Sequence, residues 1–177
     1  MIVGAPGSAK STLARALGAR TGLPVHHLDR VHYAEDWVER PDDEVLRLVR
    51  ALHARPRWII EGGISRTWGE RFARADTFVW LDVPAGRRLG RVVRRTLRHR
   101  GRVRPELPAG CAEGLDRRTL AFLLWVWRTR RTAGAKARLL LEDACGRTDL
   151  VAFHLRDDAG IDRFLERVAP SPEAEHG

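Results

Sequence analysis

With 177 residues, 44% of them hydrophobic and 31% charged, the chain reads as one soluble globular domain long enough to bury a full core. Its two cysteines, Cys111 and Cys145, form no C-x-x-C pair, which argues against a zinc site and for a reducing compartment. The net charge of +9 is carried almost wholly by arginine, since Lys10 and Lys136 are the only lysines. Such a field draws anions, nucleotide phosphates and nucleic acid alike, and does not choose between them.

Met1 to Val3 is a very short apolar start that runs straight into Gly4, as if a few residues were missing before it; no signal peptide is visible, and a cytoplasmic location is expected. Lys10 to Arg20 has helical spacing through Leu13, Ala14 and Leu17, and Gly22-Leu23-Pro24 stops it. Val25 to Leu28 reads as a strand ending at Asp29. Pro41-Asp42-Asp43-Glu44 opens a helix with acidic residues in its first turn. Trp58 to Glu61 is a strand closed by Gly62-Gly63, Ser65 to Ala75 a helix, and Thr77 to Leu81 a buried strand before Asp82, which is expected to cap the next helix. That helix, Gly86 to about His99, is laden with arginine. After a Gly/Pro-containing stretch, Gly101 to Gly114, helices are predicted over Leu115–Arg131 and Ala135–Ala144, then a strand over Leu150–Leu155 and a helix over Ile161–Val168.

Strands alternating with helices at this spacing predict an α/β fold, a parallel sheet with helices on both faces. One domain is expected over residues 1–168, with a disordered tail over 169–177. The longest apolar run, Leu120 to Trp127, is far too short to cross a membrane, and no membrane association is expected.

The stretch Gly4, Ala5, Pro6, Gly7, Ser8, Ala9, Lys10, Ser11, Thr12 nearly matches the phosphate-binding pattern of Gly, four residues, then Gly-Lys-Ser/Thr. Such a loop presents backbone N–H groups to phosphates at a helix N-terminus, with the lysine on the outer phosphates and the hydroxyl on Mg²⁺. Ala9 stands where the second glycine belongs. If its backbone is left-handed, the methyl group costs roughly 1–2 kcal/mol, and Ala9→Gly is expected to tighten ATP binding about tenfold or more.

Ligands of open α/β sheets sit beyond the carboxyl ends of the strands, where three acids fall. Asp29 either orients or deprotonates an acceptor hydroxyl, holds Mg²⁺ through water, or caps a loop. Glu61 is a candidate for ordering the waters of Mg²⁺, and Asp82 reads as structural. His26 and His27 read as packing or edge residues, and Phe122, Trp125 and Trp127 as helix core in preference to a base-stacking platform.

These residues carry a resemblance. GAPGSAKSTLARAL, LPVHHLD, IIEGGISRT, ADTFVWLDVP and RRLGRVVRR together resemble the small adenylate-kinase-like P-loop kinases. The bacterial DNA topology modulation, or adenylate-kinase-related, group is nearest, through H-L-D with a downstream Trp (Asp29, Trp37) and a G-C-x-E-x-L-D stretch (Gly110, Cys111, Glu113, Leu115, Asp116). Glu61-Gly62-Gly63-Ile64 departs from that group's Asp-Gly-Asn-Tyr. The resemblance implies a P-loop NTPase fold with a five-stranded sheet in the order 2-3-1-4-5 and an arginine-rich lid over about 95–131. It also implies Arg91 over the adenine, Arg95 on phosphates, Arg66 near the acceptor's phosphate and Arg156 in the adenine-contacting loop.

Nine arginines lie between Arg87 and Arg104, and two or three of them are expected on phosphate, the rest on a solvated face. The expectation is therefore an ATP- and Mg²⁺-dependent kinase acting on a small-molecule acceptor, a nucleotide or similar, as a monomer. Its rivals are an arginine-rich nucleic-acid-associated protein and a nucleotide-binding regulator with reduced catalysis.

Overall fold

The alternation of short apolar runs with amphipathic segments becomes five strands and eight α-helices in the computed structural model, which describes residues 1–168. The tail expected to be disordered lies outside the described residues. Strands β1 (Ile2–Gly4), β2 (Val25–His27), β3 (Ile59–Glu61), β4 (Thr77–Leu81) and β5 (Val151–Leu155) form one sheet in the expected order β2-β3-β1-β4-β5. Every pairing is parallel, with Val25 opposite Ile59, Ile2 opposite Glu61 and Val79, and Phe78 opposite Ala152. Parallel neighbours need crossovers, and the helices supply them.

Successive strand side chains point to opposite faces. Ile2, Ile59, Val79 and Leu81 therefore share one face, covered by Leu13, Ala14 and Leu17 of α1 (Lys10–Thr21) and by Ile161 and Phe164 of α8 (Asp158–Arg167). Val3, Phe78 and Trp80 point the other way, against Trp68 and Phe72 of α4 (Trp68–Arg74) and Ala137 and Ala144 of α7 (Ala135–Ala144). On that side Val45 and Val49 of α3 (Asp42–His53) also cover Leu28 and Ile60. Gly22, at φ 67, ends α1 by donating its N–H to the Gly18 carbonyl at 2.9 Å, a conformation that glycine adopts without a Cβ clash.

Several elements differ from expectation for local reasons. The predicted helix over 65–75 splits, because Thr67 bonds back to the Ile64 carbonyl through both its N–H and its hydroxyl, each at 3.0 Å. That tightens Ser65–Thr67 into a 3-10 turn ahead of α4. Helix α5 (Ala85–Arg98) begins after Pro84 with no side-chain cap. Asp82 instead lies 3.0 Å from Nε2 of His154, whose ring stacks on Trp80 at 4.2 Å.

Helix α6 (Arg117–Arg128) is shorter than predicted. The Asp116 carboxylate caps it by accepting from Thr119 N–H at 2.8 Å, and a 3-10 turn, Thr129–Arg131, closes it. Its aromatic residues are not core. Only Val126 of this helix is buried, while Trp125 and Trp127 are about half exposed, since α6 packs chiefly on α5, away from the sheet. No helix among the described residues is long and apolar enough to cross a membrane.

Candidate functional site

The turn from β1 into α1 sits at the carboxyl end of the sheet's central strand. Gly4 (φ 156) and Gly7 (φ 78) let it fold back on the sheet. A Cβ on Gly4 would come within 2.6 Å of the Leu81 carbonyl, and one on Gly7 would strike the backbone of Arg88. Ser8 N–H bonds to the Ala5 carbonyl at 3.2 Å. Ala9 takes φ 74, ψ 21, a left-handed conformation, and leads into the first turn of α1, whose leading N–H groups have no partner within the helix.

Lys10 curls over this turn, its ammonium donating to the Ala5 carbonyl at 3.3 Å. Burial lowers the pKa of Lys10, against the opposing pull of Glu61 and Asp29. Ser11, next along α1, donates its hydroxyl to Glu61 Oε1 at 2.9 Å, and the same oxygen lies 2.7 Å from Nδ1 of His27. The contact follows from strand register, because His27 and Glu61 are opposite one another at the ends of β2 and β3. Glu61 is 3% exposed. Burial alone would raise its pKa, yet the bond to His27, the Lys10 charge and the Ser11 hydroxyl together hold it below the usual value.

Asp29 opens a four-residue helix, α2 (Asp29–His32), that the sequence pattern did not reveal. Water reaches it through the mouth of the cleft, but protein surrounds it elsewhere. Asp29 is exposed on that side, and the desolvation by the surrounding protein, reinforced by the neighbouring Glu61 charge, raises its pKa. Desolvation and a like charge act here in the same direction.

Lys10, Ser11, Thr12, Asp29 and Glu61 thus line one cleft of about 1130 Å³, and Arg91 and Arg95 of α5 face them. Arg91 pairs with Asp158, while its Nη1 is buried without a hydrogen-bond partner. Arg95 lies 3.3 Å from the Glu113 carboxylate, and Arg104 2.7 Å from the same oxygen. Thr96 donates to the other oxygen at 3.0 Å. The two ion pairs are close but poorly aligned, so Arg95 Nε, Arg104 Nε and Glu113 Oε1 each lack a hydrogen bond. Arg104 also lies near Glu106, which pairs with Arg15 of α1. Burial, then the Arg104 charge, lowers the Arg95 pKa.

Other expected residues lie elsewhere. Ser8 is fully buried beneath the turn, and Ala5 contributes its carbonyl to Lys10 without lining the cleft. Arg66 does not line the cleft; it stands exposed, forked onto Asp42 at the start of α3. Arg156 follows β5, also exposed and outside the lining. Both residues stand on solvent-facing segments and reach outward from the cleft's lining.

Conversely, Arg15, Arg104, Glu106 and Glu113 were not singled out for the site by sequence, although Glu106 and Glu113 are the only acids between Arg87 and Leu115. An isolated acid inside an arginine run was the signal. Also missed was an aromatic wall made of Tyr33, Trp37, Phe122 and Trp125. Trp37 is fixed in a 3-10 turn, Glu35–Trp37, where Asp36 and Trp37 have φ of 56 and 61. Its backbone N–H reaches Cys111 Sγ at 3.2 Å and its indole donates to the Ala112 carbonyl at 3.1 Å. Backbone strain of this kind persists only where surroundings impose it, and it clusters at ligand sites.

No three His, Cys, Asp or Glu side chains converge as a metal-holding group among the described residues. No protein-family model matches the chain, and no curated protein matches it.

Proposed function

We propose that the chain is an ATP-dependent phosphotransferase, with Gly4–Thr12 as its phosphate-binding loop and a hydroxyl-bearing small molecule as its acceptor. The observation that carries this reading is Lys10. It is an ammonium drawn over a glycine turn at a helix N-terminus, beside Ser11 and Glu61, with Arg91 and Arg95 across the same cleft. A helix N-terminus, a lysine and two guanidinium groups with unspent donors suit a triphosphate. The hydroxyl of Ser11 and the ionised carboxylate of Glu61 are hard oxygen donors, which fits Mg²⁺ better than a softer metal. Bound there, Mg²⁺ would supply charge neutralisation to the outer phosphates.

Transfer then needs positioning and a proton acceptor. The acceptor's O–H proton passes to the Asp29 carboxylate as its oxygen bonds the γ-phosphorus, and the bond to the β–γ bridging oxygen breaks to leave ADP. Lys10, Arg91 and Arg95 meet the charge that develops on the phosphoryl oxygens. The raised pKa of Asp29 makes its ionised form a stronger base than an ordinary aspartate. The aromatic wall of Tyr33, Trp37, Phe122 and Trp125 favours an acceptor with a flat or apolar body. A nucleic-acid role for the arginine run is weaker, since Arg91 and Arg95 face the cleft and Arg104 is paired with Glu113.

Thermal melting tests the reading. Mg-ATP is expected to raise the melting temperature of the wild-type chain, and Lys10→Ala is expected to abolish that rise. An equal rise in the variant rules out the loop assignment. A rise without ADP formation, across a panel of hydroxyl-bearing acceptors, marks the chain as a nucleotide-binding regulator.

A further inference from the structure

Helix α6 has three faces, and only two are accounted for. Arg118, Thr119, Phe122 and Trp125 line the cleft, and Val126 is buried. Leu120, Leu124 and Trp127 recur at i, i+4 and i+7 and therefore form one line along the helix. They are 59%, 49% and 48% exposed. Arg117 stands at the start of the helix, Arg128, Arg130 and Arg131 at its end, and no acid occurs between Asp116 and Glu142. The Arg130 guanidinium lies 4.1 Å over the Trp127 ring.

Single exposed leucines are ordinary, but an aligned apolar row bracketed by arginines has a specific physical complement. A nucleic-acid backbone would reward the arginines and the indole and gain nothing from Leu120 and Leu124. An anionic bilayer rewards all of them. The leucines and the indole enter the boundary between headgroups and acyl chains, while the guanidinium groups meet lipid phosphates. The net charge of +9 adds a long-range attraction of the same sign. No membrane span is needed for such contact.

We propose that the outer face of α6, built on Leu120, Leu124 and Trp127, seats this protein on the surface of bilayers containing anionic lipid. This contact does not depend on the phosphotransferase reading, because the cleft uses the other side of the helix.

The test is co-sedimentation of the full chain with large vesicles of phosphatidylcholine alone and of phosphatidylcholine with roughly one third phosphatidylglycerol, a strongly anionic surface. Binding is expected only to the anionic vesicles, with a blue shift of tryptophan emission. The double variant Leu120→Ser/Leu124→Ser is expected to bind at least about tenfold more weakly, as binding scales with buried apolar area. Its two sites are exposed, so its melting temperature should match wild type. Lys10→Ala, in which the phosphate loop is disabled, should bind vesicles as wild type does. Failure to bind anionic vesicles at low salt overturns the proposal. Undiminished binding by the double serine variant overturns it as well, since arginine charge alone would then suffice. Tight binding to a DNA oligonucleotide, equal in wild type and double variant, in place of vesicle binding, overturns the proposal and assigns the arginine charge to nucleic acid.

Discussion

Ala9 holds a left-handed backbone, at φ 74, and its methyl group packs against the cluster around Leu13 and Leu17. A left-handed alanine strains the folded backbone. Ala9→Gly is accordingly expected to raise stability by about 1 kcal/mol, the relief of a left-handed alanine less the extra freedom glycine gives the unfolded chain. The tenfold gain in ATP affinity expected for the same change applies to the strain that binding itself adds. Chemical denaturation and titration calorimetry on the two forms separate these effects. Asp29 behaves in the opposite sense to a stabilising acid. A raised native pKa means the folded state holds the proton more tightly than the unfolded state, so stability is full below the unfolded value and lost as pH rises through the raised one. Asp29→Asn should therefore melt higher than wild type at neutral pH, with the gap closing toward acid pH. Turnover should fall about 10²–10⁴-fold if Asp29 is the base. A variant that melts lower at neutral pH would show that the carboxylate is held by contacts that outweigh its desolvation.

At the scale of elements, α5 and the connection into α6 form a charge sandwich. Arg95 and Arg104 share one carboxylate, Glu113, which is almost wholly buried, and Glu106 ties the same connection to α1 through Arg15. A phosphate entering between these arginines competes with Glu113 for the same donors. Glu113→Gln leaves Arg95 without its counter-ion and Arg104 with Glu106 alone, and should cost about 3 kcal/mol of stability. The same change should enlarge the increase in melting temperature produced by Mg-ATP, because no internal anion then competes. A less stable variant with an unchanged nucleotide response would show that Glu113 serves only the fold.

Over the whole molecule, the sheet was readable because its strands are short apolar runs separated by amphipathic helices, and the order β2-β3-β1-β4-β5 followed from the resemblance. The half of the cleft around Lys10, Ser11, Asp29 and Glu61 was equally readable, since strand ends and a helix start converge wherever the chain passes from sheet to helix. The other half was not. Trp37, Arg104, Glu106 and Glu113 sit in segments with no periodicity, and only long-range contacts give them a place. Asp82 misled for a related reason: a side chain near a strand end has several partners within reach, and here His154 takes it in place of the helix start. The tether from Trp37 to Cys111 and Ala112 closes a loop of 74 and 75 residues, and that from Arg15 to Glu106 one of 91. Between Arg100 and Asp116 only Leu107 and Cys111 are buried apolar residues. Few apolar contacts repay so long a loop closure, so this rim is expected to form last and open first, which hydrogen exchange checks. Amides of the rim are then exchanged by local opening while those of β1, β3 and β4 wait for global unfolding. A ligand held between this rim and α1 is then expected to slow amide exchange in the rim alone.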